Sequence, residues 1–191
     1  MNNMTDYLNW CKGTPKGKAS SVRYGLDNKR FMKANEEAGK DVVELDKIEQ
    51  YCIEIQKLLG FSNPKAMYVE VKDIDYEEIK KKFFLDDIRD ILWIKFTTDN
   101  YIGVVAASND INFDRPKTVQ DYTKKNGRKW IHNTSGIILH HLNKFWNEKT
   151  VLIIPLSGIP KGLKRGDVER ALGNYLISKK VPILDFYSHN Y

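Results

Sequence analysis

Hydrophobic positions between residues 41 and 60 recur with the period of an α-helix. The apolar positions, at spacings of three and four, are Leu45, Ile48, Cys52, Ile55 and Leu59. This spacing places them on one helical face. Asp41 is the predicted N-cap, Glu44 completes a capping box, and Gly60 is the predicted stop. A second helix is predicted over 20–37, so the chain is expected to begin with a helical part.

Beyond residue 65, short apolar runs alternate with helical patterns. The predicted strands are 67–72, 91–96, 101–107, 151–156 and 181–187. The predicted helices are 76–84, 135–146 and 167–178. A polar turn between 91–96 and 101–107 indicates a hairpin. The last strand, helix and strand form a βαβ unit, for which we expect two neighbouring parallel strands joined by a right-handed crossover.

Together these elements predict an α/β or α+β fold, with a helical subdomain packed on a mixed sheet of about four or five strands that ends in the βαβ unit. The predicted division is a helical subdomain at 1–60 and an α/β domain at 65–191, or one compact domain. A chain of 191 residues with 41% hydrophobic content can bury a sizeable core.

Composition excludes several classes of protein. No apolar run approaches the roughly 20 residues of a membrane span, and the first residues lack the pattern of a secretory signal. Cys11 and Cys52 form neither a disulfide framework nor a metal-ligand set. We therefore expect a cytoplasmic protein with no membrane partner and no predicted cofactor.

Basic residues are concentrated toward the end of the chain. The net charge is +6, and residues 115–191 contain 14 Lys and Arg against 5 Asp and Glu. Residues 73–114 contain 5 basic and 10 acidic side chains, so the middle of the chain is acidic. This asymmetry favours a basic face that attracts phosphate-rich partners, although an ordinary basic protein has the same composition.

The segment Ser157–Gly166 lies between a predicted strand and a predicted helix, where α/β proteins bind anions. Its candidate phosphate-binding residues are Gly158, Lys161, Gly162, Lys164 and Arg165. Their spacing matches neither of the two glycine-rich nucleotide-binding motifs. The alternative is a solvated loop whose glycines only turn the chain.

A second basic segment contains aromatic residues among its cations. The candidate nucleic-acid-binding residues here are Arg115, Lys117, Lys124, Lys125, Arg128, Lys129 and Trp130. Basic side chains neutralise backbone phosphates, and Tyr122 or Trp130 can stack on unpaired bases. The alternative is a solvated loop that Trp130 anchors to the core.

Candidate catalytic residues are Glu169, Asp167 and His132. Glu169 follows the glycine-containing loop and precedes Gly173 and residues 180–183, and this helix–strand unit resembles that of nucleoside deoxyribosyltransferase-like folds. The resemblance implies that Glu169 is a nucleophile at a sugar carbon. The spacing from glutamate to glycine departs from the family. Asp167 in the first helical turn also fits a purely structural role.

The N-terminal segment at 18–58 carries a second resemblance. Lys18–Asp27 and Asp41–Glu49 are similar to a helical segment found ahead of some restriction-type nucleases, with departures at Val22 and Gly25. The resemblance implies a DNA-related setting in phage biology or bacterial defence. The His-Asn-His nuclease that often follows this segment is missing from the sequence.

A metal-dependent activity has little support in the sequence. Glu70 and Lys72 form an E-x-K on a predicted strand, and Mg²⁺ would be needed only if the chain were a nuclease. His140 and His141 are adjacent and therefore point about 100° apart on a helix, which disfavours a shared zinc ion.

The function predicted from these patterns is nucleic-acid binding through the two basic segments. Whether the chain is also an enzyme is left open. One alternative is a small enzyme that processes a nucleotide or nucleoside through Glu169, and another is an inhibitor that binds a protein partner. Basic segments on one continuous face would favour nucleic acid, and an enclosed pocket around Glu169 would favour the enzyme.

Overall fold

The computed structural model describes residues 6–7, 41–70, 75–88, 90–108 and 144–186, together with the backbone of 124–125 and 128–129. The helices are α1 (Leu45–Leu58), α2 (Tyr76–Phe83) and α3 (Arg165–Ser178). The strands are β1 (Met67–Glu70), β2 (Ile91–Thr97), β3 (Ile102–Ser108), β4 (Lys124–Lys125), β5 (Arg128–Lys129), β6 (Trp146–Pro155) and β7 (Ile183–Phe186). No helix among these residues is both long and apolar enough to cross a membrane.

Five strands form a mixed sheet in the order β1-β6-β2-β3-β7, and β4 pairs with β5 in a separate hairpin. All pairs in the large sheet are antiparallel except β3 with β7. The predicted α+β architecture, the mixed sheet and the β2–β3 hairpin are therefore confirmed.

The terminal unit β6–α3–β7 is present, but its strands are not neighbours as expected. They run in the same direction and are separated by β2 and β3. The reason is that the β2–β3 hairpin already occupies that side of β6. Helix α3 therefore crosses over both strands of the hairpin, and β7 adds to the free side of β3.

Helix α1 starts later than the sequence predicts and ends where it predicts. Helix α1 begins at Leu45, so Asp41 does not cap it and the predicted capping box is wrong. The β-branched pair Val42 and Val43 precedes the helix, in keeping with the low helix propensity of valine. At the other end, Gly60 adopts φ +86° and donates its N–H to the Lys57 carbonyl, as its role as a stop requires.

The predicted helix over 135–146 is wrong at its end, because Trp146 is the first residue of β6. Residues 135–143 lie outside the described part of the chain. The Trp146 ring is buried and lies over Gly103 of β3. Packing between strands therefore outweighs the helical spacing of the apolar residues at this position.

Each face of the sheet is covered by helical residues. Helices α1 and α3 pack on one face, where Ile48, Cys52 and Leu172 share a core with sheet residues such as Leu92. Helix α2 and Tyr7 cover the opposite face, around Trp93 and Val151. Since α1 and α3 also pack against each other, the carboxyl-terminal helix is positioned by the first helix as well as by the sheet.

Tyr7 is tied to the turn between β2 and β3. Its hydroxyl donates to Asp99, and its ring lies 6.0 Å, edge-on, from the rings of both Tyr101 and Phe145. Burial and the hydrogen bond to Asp99 raise the pKa of Tyr7 to about 12. The phenol therefore stays protonated in the folded chain at a pH where the unfolded chain ionises.

Tyr7 should make the fold sensitive to alkali. Between about pH 10 and pH 12 the unfolded tyrosine loses its proton first, so the free energy of unfolding should fall by about 1–2 kcal/mol. Below pH 10 both states are protonated, so the contribution of Tyr7 is fully present and the free energy of unfolding does not vary with pH through this group. Denaturant titrations of wild type and Tyr7→Phe measure it, and an equal alkaline loss in both proteins would contradict it.

Candidate functional site

The strands that precede the two predicted basic segments in the chain end at the same edge of the large sheet. Strands β3 and β6 run in the same direction on either side of β2, and Ser108 and Pro155 both pair with Ile91. The two strands therefore end level with each other, about 10 Å apart, as two strand spacings dictate. We call this the carboxyl edge, bounded by Ser108, Pro155, Ile91 and the start of β1 at Met67.

The loop that follows β6, residues 157–164, is fixed at both ends and is called here the basic loop. It starts where the Leu156 N–H donates to the Asp90 carbonyl at 2.9 Å, and it ends at α3. Gly158 and Gly162 adopt φ of +69° and +94°, a backbone region that favours glycine. Lys161 and Lys164 are exposed, so the loop presents two cations at the carboxyl edge.

Arg165 differs from these lysines because its charge is already engaged. It is the first residue of α3, two positions earlier than predicted, and its Nη1 forms an ion pair with Asp90. Both side chains are half-buried. Asp90 directly precedes β2, so this ion pair fastens the start of α3 to the sheet. The predicted contact of Arg165 with phosphate would have to share the guanidinium with Asp90.

Asp167 is engaged within the first turn of α3. One carboxylate oxygen accepts the backbone N–H of Lys164 at 2.9 Å, and the other accepts from Arg170 at 3.1 Å. A carboxylate here also suits the positive end of the helix dipole. The geometry therefore gives Asp167 a capping role.

Glu169 is enclosed by the fold, with only 1% of its surface exposed. It takes part in at least one hydrogen-bonded or electrostatic contact, as a buried carboxylate must to avoid a large desolvation penalty. Its neighbours in α3, Val168 and Leu172, belong to the core. A substrate would reach this carboxylate only if the residues that bury it moved.

The hairpin formed by β4 and β5 concentrates four basic residues in the second basic segment. Its register pairs Lys124 with Lys129 and Lys125 with Arg128. Three of the other candidates, Arg115, Lys117 and Trp130, and also His132, lie outside the described residues.

Neither metal hypothesis gains support from the geometry. Glu70 ends β1, an edge strand of the large sheet, and its predicted partner Lys72 lies outside the described part of the chain. No group of three or more His, Cys, Asp or Glu residues among the described positions is arranged to hold a metal ion. The histidines that the sequence analysis considered all lie outside these positions.

Two residues at the carboxyl edge were missed by the sequence analysis. Asp90 fixes the start of α3, and its role depends on tertiary contacts that the local sequence does not encode. Phe84 was assigned to the end of a helix, whereas it is the exposed C-cap of α2. The adjacent pair Phe83-Phe84 could have indicated an exposed ring, because two successive residues at the end of a helix point in different directions and only one of them can face the core.

No protein-family model matches the chain, and neither a curated protein nor a solved structure shows significant similarity to it. The resemblances of residues 18–58 and of the α3–β7 unit therefore stay predictions. The carboxyl edge has to be interpreted from its own chemistry.

Proposed function

We propose that the chain binds a nucleic acid along the carboxyl edge. The observation that carries the proposal is that β3 and β6, the strands that precede the two basic segments in the chain, end level with each other at Ser108 and Pro155, opposite Ile91. The basic loop follows β6 directly, and the segment 115–130 begins seven positions after Ser108, so both segments are able to contact phosphates of one nucleic-acid strand.

The charges of the two basic segments fit a polyanion better than a single small anion. Lys161 and Lys164 are exposed on a loop with two glycine turns, and four further cations lie in the β4–β5 hairpin. Phosphate contacts of this kind supply affinity without sequence preference. The setting we propose is cytoplasmic, in phage biology or bacterial defence, as the resemblance of residues 18–58 implies.

Binding should weaken linearly with the logarithm of salt concentration, and the basic loop should account for part of the slope. We expect Lys161→Ala combined with Lys164→Ala to weaken binding about tenfold at roughly 0.1 M salt and to reduce the slope by about 1.5. The melting temperature should hardly change, because exposed cations contribute little to folding. Fluorescence anisotropy with labelled DNA and RNA oligonucleotides measures the effect.

A matched control removes two exposed lysines away from the carboxyl edge. Lys47 lies in the first turn of α1, and it is the last turn of this helix that lies near the carboxyl edge. Lys149 lies in the first half of β6, far from the carboxyl edge at Pro155. Lys47→Ala with Lys149→Ala makes the same change in net charge and should leave the slope near the wild-type value. An equal loss in both double variants, or no salt-dependent binding to either nucleic acid, would contradict the proposal.

A further inference from the structure

Exposed apolar side chains lie at the carboxyl edge. Among the described residues, the exposed large hydrophobic side chains are Val42, Leu58, Met67 and Phe84. All except Val42 lie at this edge: Leu58 ends α1, Met67 begins β1, and Phe84 follows α2. Phe84 is the extreme case, with 91% of its surface exposed.

The position of Phe84 follows from contacts of its neighbours. Lys65 precedes β1 at the carboxyl edge, and its amine donates to the carbonyl of Phe83. Helix α2 therefore returns toward the edge from which β1 started. The residues after Phe84 lead directly to Ile91, which pairs with the last residues of β3 and β6.

Phe84 contributes little to the fold and occupies an unfavourable backbone conformation. Its φ of 54° lies in the left-handed region, where helices commonly place glycine as a C-cap. The preceding residue, Phe83, is buried and supplies the packing of this helix end. An exposed aromatic ring on a strained backbone is a combination found at functional sites.

We propose that Phe84 stacks on an unpaired base of the bound nucleic acid, an inference that rests on the proposed function. The partner is then single-stranded, or carries an unstacked nucleotide, because bases inside a duplex present no free face. The exposed lysines of the basic loop at the same edge supply the charge complementarity for the phosphates.

Lysines adjoin Phe84 in the last turn of α2, and two of the nearby carboxylates lie further away in its first turn. The last turn contains Lys80, Lys81 and Lys82, whereas Glu77 and Glu78 lie in the first turn and pair with Lys80 and Lys82. Lys81 is exposed, as are Asp86 and Asp87 just after the ring. A cation next to an exposed ring suits a nucleotide whose base stacks on the ring and whose phosphate contacts the lysine.

The test compares a single-stranded oligonucleotide with a blunt duplex. Phe84→Ala should weaken single-strand binding about tenfold, leave the salt slope unchanged, and leave duplex binding unchanged. Phe84→Trp should retain the affinity and add a fluorescence signal that is quenched on binding. Phe84→Leu, which keeps an apolar side chain without a ring, should behave like Phe84→Ala, and Leu58→Ala is the control for loss of exposed apolar surface elsewhere on the edge.

Loss of folding is excluded by one further variant. Phe84→Gly relieves the left-handed backbone, so it should raise the melting temperature while weakening single-strand binding as much as Phe84→Ala does. Wild-type affinity in Phe84→Ala or Phe84→Leu, or an equal loss for the duplex, overturns the stacking role and leaves the proposed function standing. If the wild-type chain shows no salt-dependent binding, the proposed function itself fails.

Discussion

Gly103→Ala is expected to lower the free energy of unfolding by about 3 kcal/mol, because the sheet has no room for an added methyl group. A Cβ at this position would lie 2.1 Å from Cζ3 and 2.4 Å from Cη2 of Trp146. The ring is buried and cannot swing into solvent. Gly103 is also the extra residue of a β-bulge, since Lys95 pairs with Val104 and Phe96 with Ile102.

A double-mutant cycle identifies the cause of this loss. Trp146→Leu leaves space where the methyl group would clash, so adding Gly103→Ala to it should cost much less than adding Gly103→Ala to the wild type. The coupling should be about 1–2 kcal/mol, as measured by denaturant unfolding of the four proteins. Additive effects would show that the Trp146 ring is not the obstacle, and a Gly103→Ala protein as stable as wild type would contradict the packing itself.

Glu169→Ala is expected to cost about 2–3 kcal/mol of stability, the second large effect. The carboxylate is buried and engaged in a polar contact, so its removal leaves a partner group unsatisfied inside the fold. Glu169→Gln keeps the volume and an acceptor oxygen, so it should cost less, about 1 kcal/mol. Urea unfolding followed by circular dichroism measures both values.

The same pair of variants tests the alternative in which Glu169 processes a nucleotide or nucleoside. A catalytic carboxylate would lose activity in Glu169→Gln without a matching loss of stability, because an amide cannot serve as nucleophile or general base. We expect neither glycosidic hydrolysis nor transfer from deoxynucleosides in the wild type. Activity that vanishes in Glu169→Gln would establish the enzyme in place of the structural role.

The sequence predicted elements better than their arrangement. The period of the apolar residues located α1 and α3, and the β-rich runs located β2 and β3, because these signals are local. The failures involve long-range contacts. The local sequence predicts a helix at Trp146, but the packing of its ring on Gly103 favours a strand there. The pairing of β7 with β3 depends on the position of the β2–β3 hairpin in the sheet.

The candidate site shows the same division. The glycines and lysines of the basic loop could be recognised from composition, and their placement between a strand and a helix is confirmed. The ion pair between Arg165 and Asp90 could not be, since it joins residues 75 positions apart. The burial of Lys95 could not be predicted either, because the alternation of apolar and polar residues along a strand does not distinguish a buried lysine from an exposed one.

The strand order has a consequence for the time course of folding. Strand β6 lies between β1 and β2, although it follows them in the chain by dozens of residues. During synthesis β2 and β3 leave the ribosome before β6, so one side of β2 has no partner strand until residue 155 has emerged, and β7 completes the sheet last. Such delayed pairing slows folding and leaves an unpaired, aggregation-prone edge on β2. The nascent chain is therefore the state that most needs protection by chaperones.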